Sequence, residues 1–70
     1  MNIRARTFLI VKVGRLYLVG WNYVMECLNY SVSPYDAWRT RDRETAKWVA
    51  DRVGGTLCLF NPIAAQLQDY

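Results

Sequence analysis

The stretch that most constrains this chain is Thr40-Arg-Asp-Arg-Glu-Thr-Ala-Lys-Trp-Val-Ala-Asp-Arg-Val53, closed by Gly54-Gly55. Ala46, Val49, Ala50 and Val53 recur at i, i+3, i+4 and i+7, which lines four apolar side chains along one helical stripe. Thr40 or Asp42 can accept hydrogen bonds from the free N–H groups of the first turn. Gly54 can adopt the left-handed conformation that ends a helix, and Gly55 lets the chain turn back. With Ala37–Arg39 before it and the apolar Thr56–Phe60 after it, the segment Ala37–Phe60 reads as strand, helix and strand in succession. This specifies a scaffold and no chemistry.

Seventy residues hold one domain. A chain this short buries roughly 60% of the surface its unfolded form exposes, and its core supplies only about 3–5 kcal/mol. Hydrophobic residues make up 53% of the chain, and ten residues are aromatic (Trp 3, Tyr 5, Phe 2). So small a core cannot enclose them all, so part of the apolar surface is expected to be shared with another chain.

A net charge of +3 excludes a strongly acidic DNA mimic. It also falls short of the concentrated basic face of a dedicated nucleic-acid binder. Cys27 and Cys58 stand apart with no C-x-x-C spacing and there is no histidine, so a Cys/His zinc site lacks half its ligands. The expectation is two buried thiols, with no disulfide. The apolar run Phe8–Val11 after Arg4 and Arg6 is interrupted at Lys12, Gly14 and Arg15, too short for a signal peptide. No stretch approaches the ~20 apolar residues of a membrane span. A soluble, cytoplasmic protein is expected.

Along the chain, Arg6–Val13 and Leu16–Trp21 predict a β-hairpin turning at Gly14-Arg15. Pairing Val13 with Leu16 puts Lys12 opposite Tyr17, Val11 opposite Leu18, Ile10 opposite Val19 and Phe8 opposite Trp21. Alternation then gives an aliphatic face (Leu9, Val11, Val13, Leu16, Leu18) and an aromatic one (Phe8, Ile10, Lys12, Tyr17, Val19, Trp21). The aliphatic face seats the small residues of the helix. The aromatic face is left for the middle segment, a second copy or a target to cover. Tyr23–Tyr30 has strand composition and Ser33-Pro34-Tyr35-Asp36 is a turn signal. Asn61-Pro62 offers a cap and first residue for a brief C-terminal helix over Ile63–Gln68. The order β-β-(β)-β-α-β describes an α+β fold: a small, mainly antiparallel sheet with one amphipathic helix on one face.

No catalytic constellation stands out. The commonest acid–base group is absent. Glu26 is the only acid of the middle segment, and Glu44 and Asp51 fall on the polar side of the helix. Ser31 and Ser33 have no base nearby, and the double glycine follows a helix whereas phosphate-cradling glycines precede one. The chain is read as a non-enzyme without cofactor or metal. Arg39, Arg41 and Arg43 run into a helix N-terminus, where guanidinium forks can hold phosphate or an acidic protein surface. They can equally be the charges that keep an edge strand from pairing. Trp21, Tyr23, Tyr30, Tyr35 and Trp38 can serve as core, as interface anchors or as stacking platforms. Trp48, beside the helix stripe, reads as packing.

Lys12-Val-Gly-Arg-Leu-Tyr-Leu-Val-Gly-Trp21, together with Tyr35-Asp-Ala-Trp-Arg39 through Gly54-Gly-Thr-Leu57, resembles a broad group of small phage and prophage proteins of Gram-positive bacteria. Their pattern is a hairpin, an alanine and an aromatic before an Ala-rich helix, then Gly-Gly and a last strand, over about Phe8–Phe60. The chain departs from it at Thr40, where an aromatic is frequent. The resemblance implies a context: such accessory proteins frequently bind a host protein, including components of CRISPR or other antiviral systems.

The expected function is therefore a non-enzymatic, phage-type module that binds and inhibits or redirects a host protein by occlusion, as an anti-CRISPR or other anti-defence factor would. The expected surface is Phe8, Tyr17, Trp21, Tyr23, Tyr30 and Tyr35, with Arg39, Arg41 and Arg43 as polar anchors. A homodimer is the competing use of that face. The alternatives are a small nucleic-acid-binding protein using the arginines and aromatics, and a homo-oligomeric structural subunit. No membrane partner is expected.

Overall fold

A computed structural model describes residues 6–22, 24, 25 and 27–70. Tyr23, expected in the binding surface, and Glu26 lie outside the described residues. The fold is α+β: among the described residues there are six antiparallel strands and one α-helix. The strands are β1 (Phe8–Val13), β2 (Leu16–Asn22), β3 (Cys27–Ser31), β4 (Arg39–Thr40), β5 (Thr56–Asn61) and β6 (Gln66–Asp69). The helix α1 is Arg43–Val53, and a 3₁₀ turn spans Pro34–Asp36.

The central strand is β1. One of its edges pairs with β5 from Phe8↔Phe60 to Lys12↔Thr56. Its other edge is shared: Lys12↔Tyr17 and Val13↔Leu16 join it to β2, whereas Leu9↔Thr40 and Ile10↔Arg39 join it to β4. The expected pairs Ile10 with Val19 and Phe8 with Trp21 therefore do not form: β4 takes that edge of β1. The hairpin register follows the Gly14-Arg15 turn, with Gly14 at φ 63°. Where β2 gives way to β4, the Trp38 N–H donates to the Leu18 carbonyl at 2.9 Å. The remainder of β2 pairs with β3 alone and projects as a two-stranded ribbon, giving a molecule of 42 × 24 × 20 Å.

The helix forms where its caps place it. Asp42 is the N-cap, its carboxylate accepting from the Glu44 N–H at 3.1 Å and from the Thr45 hydroxyl at 2.6 Å. Gly54 closes the other end in the left-handed conformation, φ 72°. Ala46, Val49 and Ala50 are buried. Val49 and Ala50 sit on Val11 and Leu18, with Val13, Val53 and Leu57 packed around them. The aliphatic sheet face does seat the helix, and each fully buried aliphatic side chain contributes about 1.5–3 kcal/mol.

The opposite face is covered by the middle segment. The 3₁₀ turn, capped by Ser33, lays Ala37 on Ile10, Tyr17, Cys58 and Phe60 as a second core cluster. Tyr35 stands edge-on to Phe60, ring centroids 5.0 Å apart.

Four expectations change. First, the predicted C-terminal helix is instead the turn Pro62–Ala65 leading into β6. Asn61 does accept from the Ile63 and Ala64 N–H groups, as a cap would, but Ala65 at φ 53° reverses the chain. Second, the third strand covers Cys27–Ser31 where strand composition began at Tyr23. Third, Ala37 closes the 3₁₀ turn and re-entry into the sheet is limited to Arg39–Thr40. Fourth, only Cys58 is buried; Cys27 is exposed, and both are free thiols. Burial pushes the Cys58 thiol up, with Asp69 adding to it and Lys12 opposing.

The capping geometry has a pH signature. The Thr45 hydroxyl, helped by the backbone N–H groups of Glu44 and Thr45, holds the Asp42 carboxyl below its usual value of 3.8 against a smaller opposing effect of desolvation. A depressed carboxyl contributes stability above its unfolded pKa and loses it as pH falls through the folded value. Melting temperature is thus expected to drop below about pH 4, the ordinary range of an aspartate. In Asp42→Asn, which keeps a capping oxygen, that part of the acid limb should flatten. A thermal-melt series from pH 7 to pH 2 checks it; identical acid limbs in the two proteins would remove Asp42 as the cause.

Candidate binding surfaces

A β-bulge divides the expected aromatic surface in two. Leu18 faces Tyr30 and Gly20 faces Asn29, so Val19 has no opposite residue in β3. The extra residue shifts the alternation by one. Trp21, expected beside Phe8 and Tyr17, therefore turns to the helix side of the sheet. There it meets Trp38 edge-on at 5.6 Å and packs against the cluster under α1. Tyr30, opposite Leu18 on β3, falls on that side too, partly exposed. Tyr17 stays on the other face, but at 8% exposure it is core and not available to a partner.

The first surface keeps Phe8, Tyr35 and the three arginines. Ile10↔Arg39 pairing places Arg39 on the same face as Phe8 and Ile10. Its guanidinium lies 5.2 Å from the centroid of the Phe8 ring, and that of Arg41 lies 4.6 Å from the same centroid. Arg39 also donates from Nη2 to the Tyr35 carbonyl at 3.1 Å. Arg43, the first residue of α1, reaches the Tyr70 ring at 5.2 Å. Tyr70 arrives there because β6 runs beside β5, its N–H donating to the Leu57 carbonyl at 3.2 Å. Phe8, Leu9, Arg41, Arg43, Gln68 and Tyr70 line one open concavity.

These contacts set the three guanidinium groups against aromatic rings. Each contributes about 0.5–1 kcal/mol at an exposed site. A cation in the first helical turn opposes the helix dipole, so Arg43 is not placed there by what the helix needs. Asp42, between Arg41 and Arg43, accepts a cap hydrogen bond on each of its two oxygens.

The second surface is a groove of about 320 Å³ between α1 and the ribbon. Trp21, Leu28, Trp48, Val49 and Val53 give it an apolar lining, and Cys27 and Arg52 stand at its margin. Trp48 is 60% exposed, with the Arg52 guanidinium over its ring at 5.2 Å.

Sequence reasoning missed Tyr70, because a C-terminal helix would have carried it elsewhere. It took Trp48 for packing, although a Trp and an Arg four residues apart on a helix form a surface pair. The isolated Gly20 within a strand pattern was the available sign of the bulge. Among the described residues no helix is long and apolar enough to cross a membrane, and none of them form a group of three or more His, Cys, Asp or Glu able to hold a metal ion. Compared with family models, curated proteins and solved structures, the chain matches none.

Proposed function

We propose that the protein is a non-enzymatic binding module that engages an acidic patch on a partner protein through Arg39, Arg41 and Arg43, with Phe8, Tyr35 and Tyr70 as its aromatic ground. In the context the phage-protein resemblance implies, the partner is a host protein that the module occludes, as an anti-CRISPR or other anti-defence factor would. The observation that carries this reading is the set of three guanidiniums held over two rings at 4.6–5.2 Å. Arginines fixed in this way lose less side-chain freedom on binding than free ones.

The same geometry favours protein over nucleic acid. A base-binding platform needs an open ring face, and the Phe8 ring already carries two guanidiniums. A net charge of +3 is also small for backbone tracking.

The test is capture from host lysate with and without nuclease, comparing the wild type with a triple Arg39→Gln, Arg41→Gln, Arg43→Gln variant. One protein retained after nuclease by the wild type, and held roughly tenfold or more weaker by the variant, is the expected result. Equal retention by a folded variant would overturn the site. Recovery abolished by nuclease would replace it with nucleic-acid binding.

A further inference from the structure

We infer that two copies of this chain join edge to edge: β3 pairs antiparallel with the β3 of a second copy, about a two-fold axis at Asn29, so that the two sheets become one. This goes beyond the binding function proposed above and uses the edge of the sheet opposite β6.

In the strand order β3-β2-β1-β5-β6, the outer edge of β3 has no strand beside it among the described residues. Such an edge presents a row of unpaired N–H and C=O groups, and edges that stay unpaired carry charge or proline. The other open strands do so: β6 carries Asp69 and β4 carries Arg39. β3, Cys-Leu-Asn-Tyr-Ser, has neither. Its residues Cys27, Leu28, Asn29 and Tyr30 are all exposed.

The ribbon is also short of strands. β1 pairs with β2 at Leu16 and Tyr17, and from Gly20 to Asn22 the partner of β2 is β3. The helix steadies this part through Trp21 but supplies no backbone partner. A two-stranded ribbon is marginal in water, and three or more strands are needed for independent stability. A second β3 makes an array of four strands where each copy alone has two.

The residues of the strand select a second copy as the occupant. Along a strand, alternate residues aim their N–H and C=O groups to one side, and an antiparallel ladder pairs outward-aimed residues with outward-aimed ones. Pairing β3 with itself therefore centres on a residue, and a centre at Asn29 is the one that uses all five. Cys27 then lies opposite Ser31, Leu28 opposite Tyr30, and Asn29 opposite its own equivalent. Leu28 and Tyr30 share one face by alternation and are 45% and 37% exposed. The axis forms the Leu28–Tyr30 contact twice, and such cross-strand contacts are the unit of sheet stabilisation. The paired Asn29 side chains can exchange amide hydrogen bonds. A partner recognised by charge finds nothing to pair with on this strand. The same strand reversed matches it at every position, as an isologous contact requires.

The test is sedimentation equilibrium of the purified chain in reducing buffer, so that no disulfide through Cys27 contributes. The variants are Asn29→Asp and Asn29→Lys, run separately and mixed. Asn29 is exposed and has Gly20 opposite it in β2, so both changes leave the single copy intact. At hundreds of micromolar the wild type should have twice the monomer mass of 8.2 kDa. Each variant alone sets like charges directly opposite one another and should raise the dissociation constant roughly tenfold or more. The mixture sets opposite charges across the axis and should recover the dimer. The triple arginine variant should dimerise as the wild type does, which separates this edge from the proposed binding site.

A monomeric wild type overturns the inference. So does a dimer that the folded variants leave unweakened, or a loss that mixing does not recover, because Asn29 would then not lie on the axis. Should the variants not fold, amide hydrogen exchange of the wild type decides. Protection at alternate residues of Cys27–Ser31 that rises with concentration supports the pairing, and protection independent of concentration overturns it.

Discussion

Replacing Phe60 by alanine is expected to leave the protein largely unfolded at room temperature. Phe60 is 2% exposed and lies in the cluster of Ile10, Tyr17, Ala37 and Cys58, with Tyr35 edge-on at 5.0 Å. Its removal deletes the residue that the 3₁₀ segment rests on. Phe→Ala in a core costs about 3–5 kcal/mol, the whole of what a core in a chain this short supplies. The helix-bearing face cannot compensate, because β1 and β5 belong to both faces. The expected readout is loss of a cooperative thermal transition, or a melting temperature lower by more than about 12 °C, measured at one fixed protein concentration because self-association also stabilises. Tyr35→Ala should cost much less, since Tyr35 is half-exposed and its edge-on contact adds only about 0.5–1.5 kcal/mol. A Phe60→Ala protein melting within a few degrees of wild type would mean that the helix-free face is not a core. The middle segment would then be free to leave it.

What was legible in the sequence was local. Gly14-Arg15 set the first hairpin's register, and alternation around it sorted Val11 and Leu18 under the helix. The Ala46/Val49/Ala50 stripe and Gly54 fixed the end of α1 at Val53, and its start was left between caps at Thr40 and Asp42, of which Asp42 is the one that forms. The failures share a cause: one local signal served two structures. The side-chain oxygen of Asn61 makes the same bonds in a helix cap as in the turn that forms, and only Ala65 in the left-handed region separates the two. The strand composition of β2 continues through its bulge, so counting by twos put Trp21 on the wrong face. At the candidate site the three arginines were visible as a pattern. Their partners were not. Phe8 stands 31 positions before Arg39 and Tyr70 stands 27 after Arg43, and only the pairing of β1 with β4 and of β5 with β6 brings them together. No short-range rule connects residues so far apart.

Gly55 carries the same lesson into an experiment. Read locally, it loosens the chain after the helix; in the structure it is required for space. A Cβ at this position would stand 2.7 Å from the Lys12 carbonyl oxygen and 2.9 Å from methyl groups of both Val11 and Val13. None of these can yield cheaply. Lys12 is paired with Tyr17 on one side and Thr56 on the other, and Val11 is fully buried under the helix. Gly55→Ala is therefore expected to cost about 1–3 kcal/mol, the range for overpacking, and Gly55→Val more. Gly54 is the control. At φ 72° a side chain there meets nothing within 4 Å, so Gly54→Ala should cost only the ~1–2 kcal/mol of a left-handed non-glycine residue. Asparagine, which tolerates that region, should recover part of it. Gly55→Asn should recover nothing, because its defect is volume and not backbone freedom. Urea unfolding of the five variants separates the two causes through the midpoint at unchanged slope. A Gly55→Ala midpoint equal to wild type would show that β1 lies further from the chain leaving the helix than these distances require, and that α1 is set over the sheet by its own apolar stripe alone.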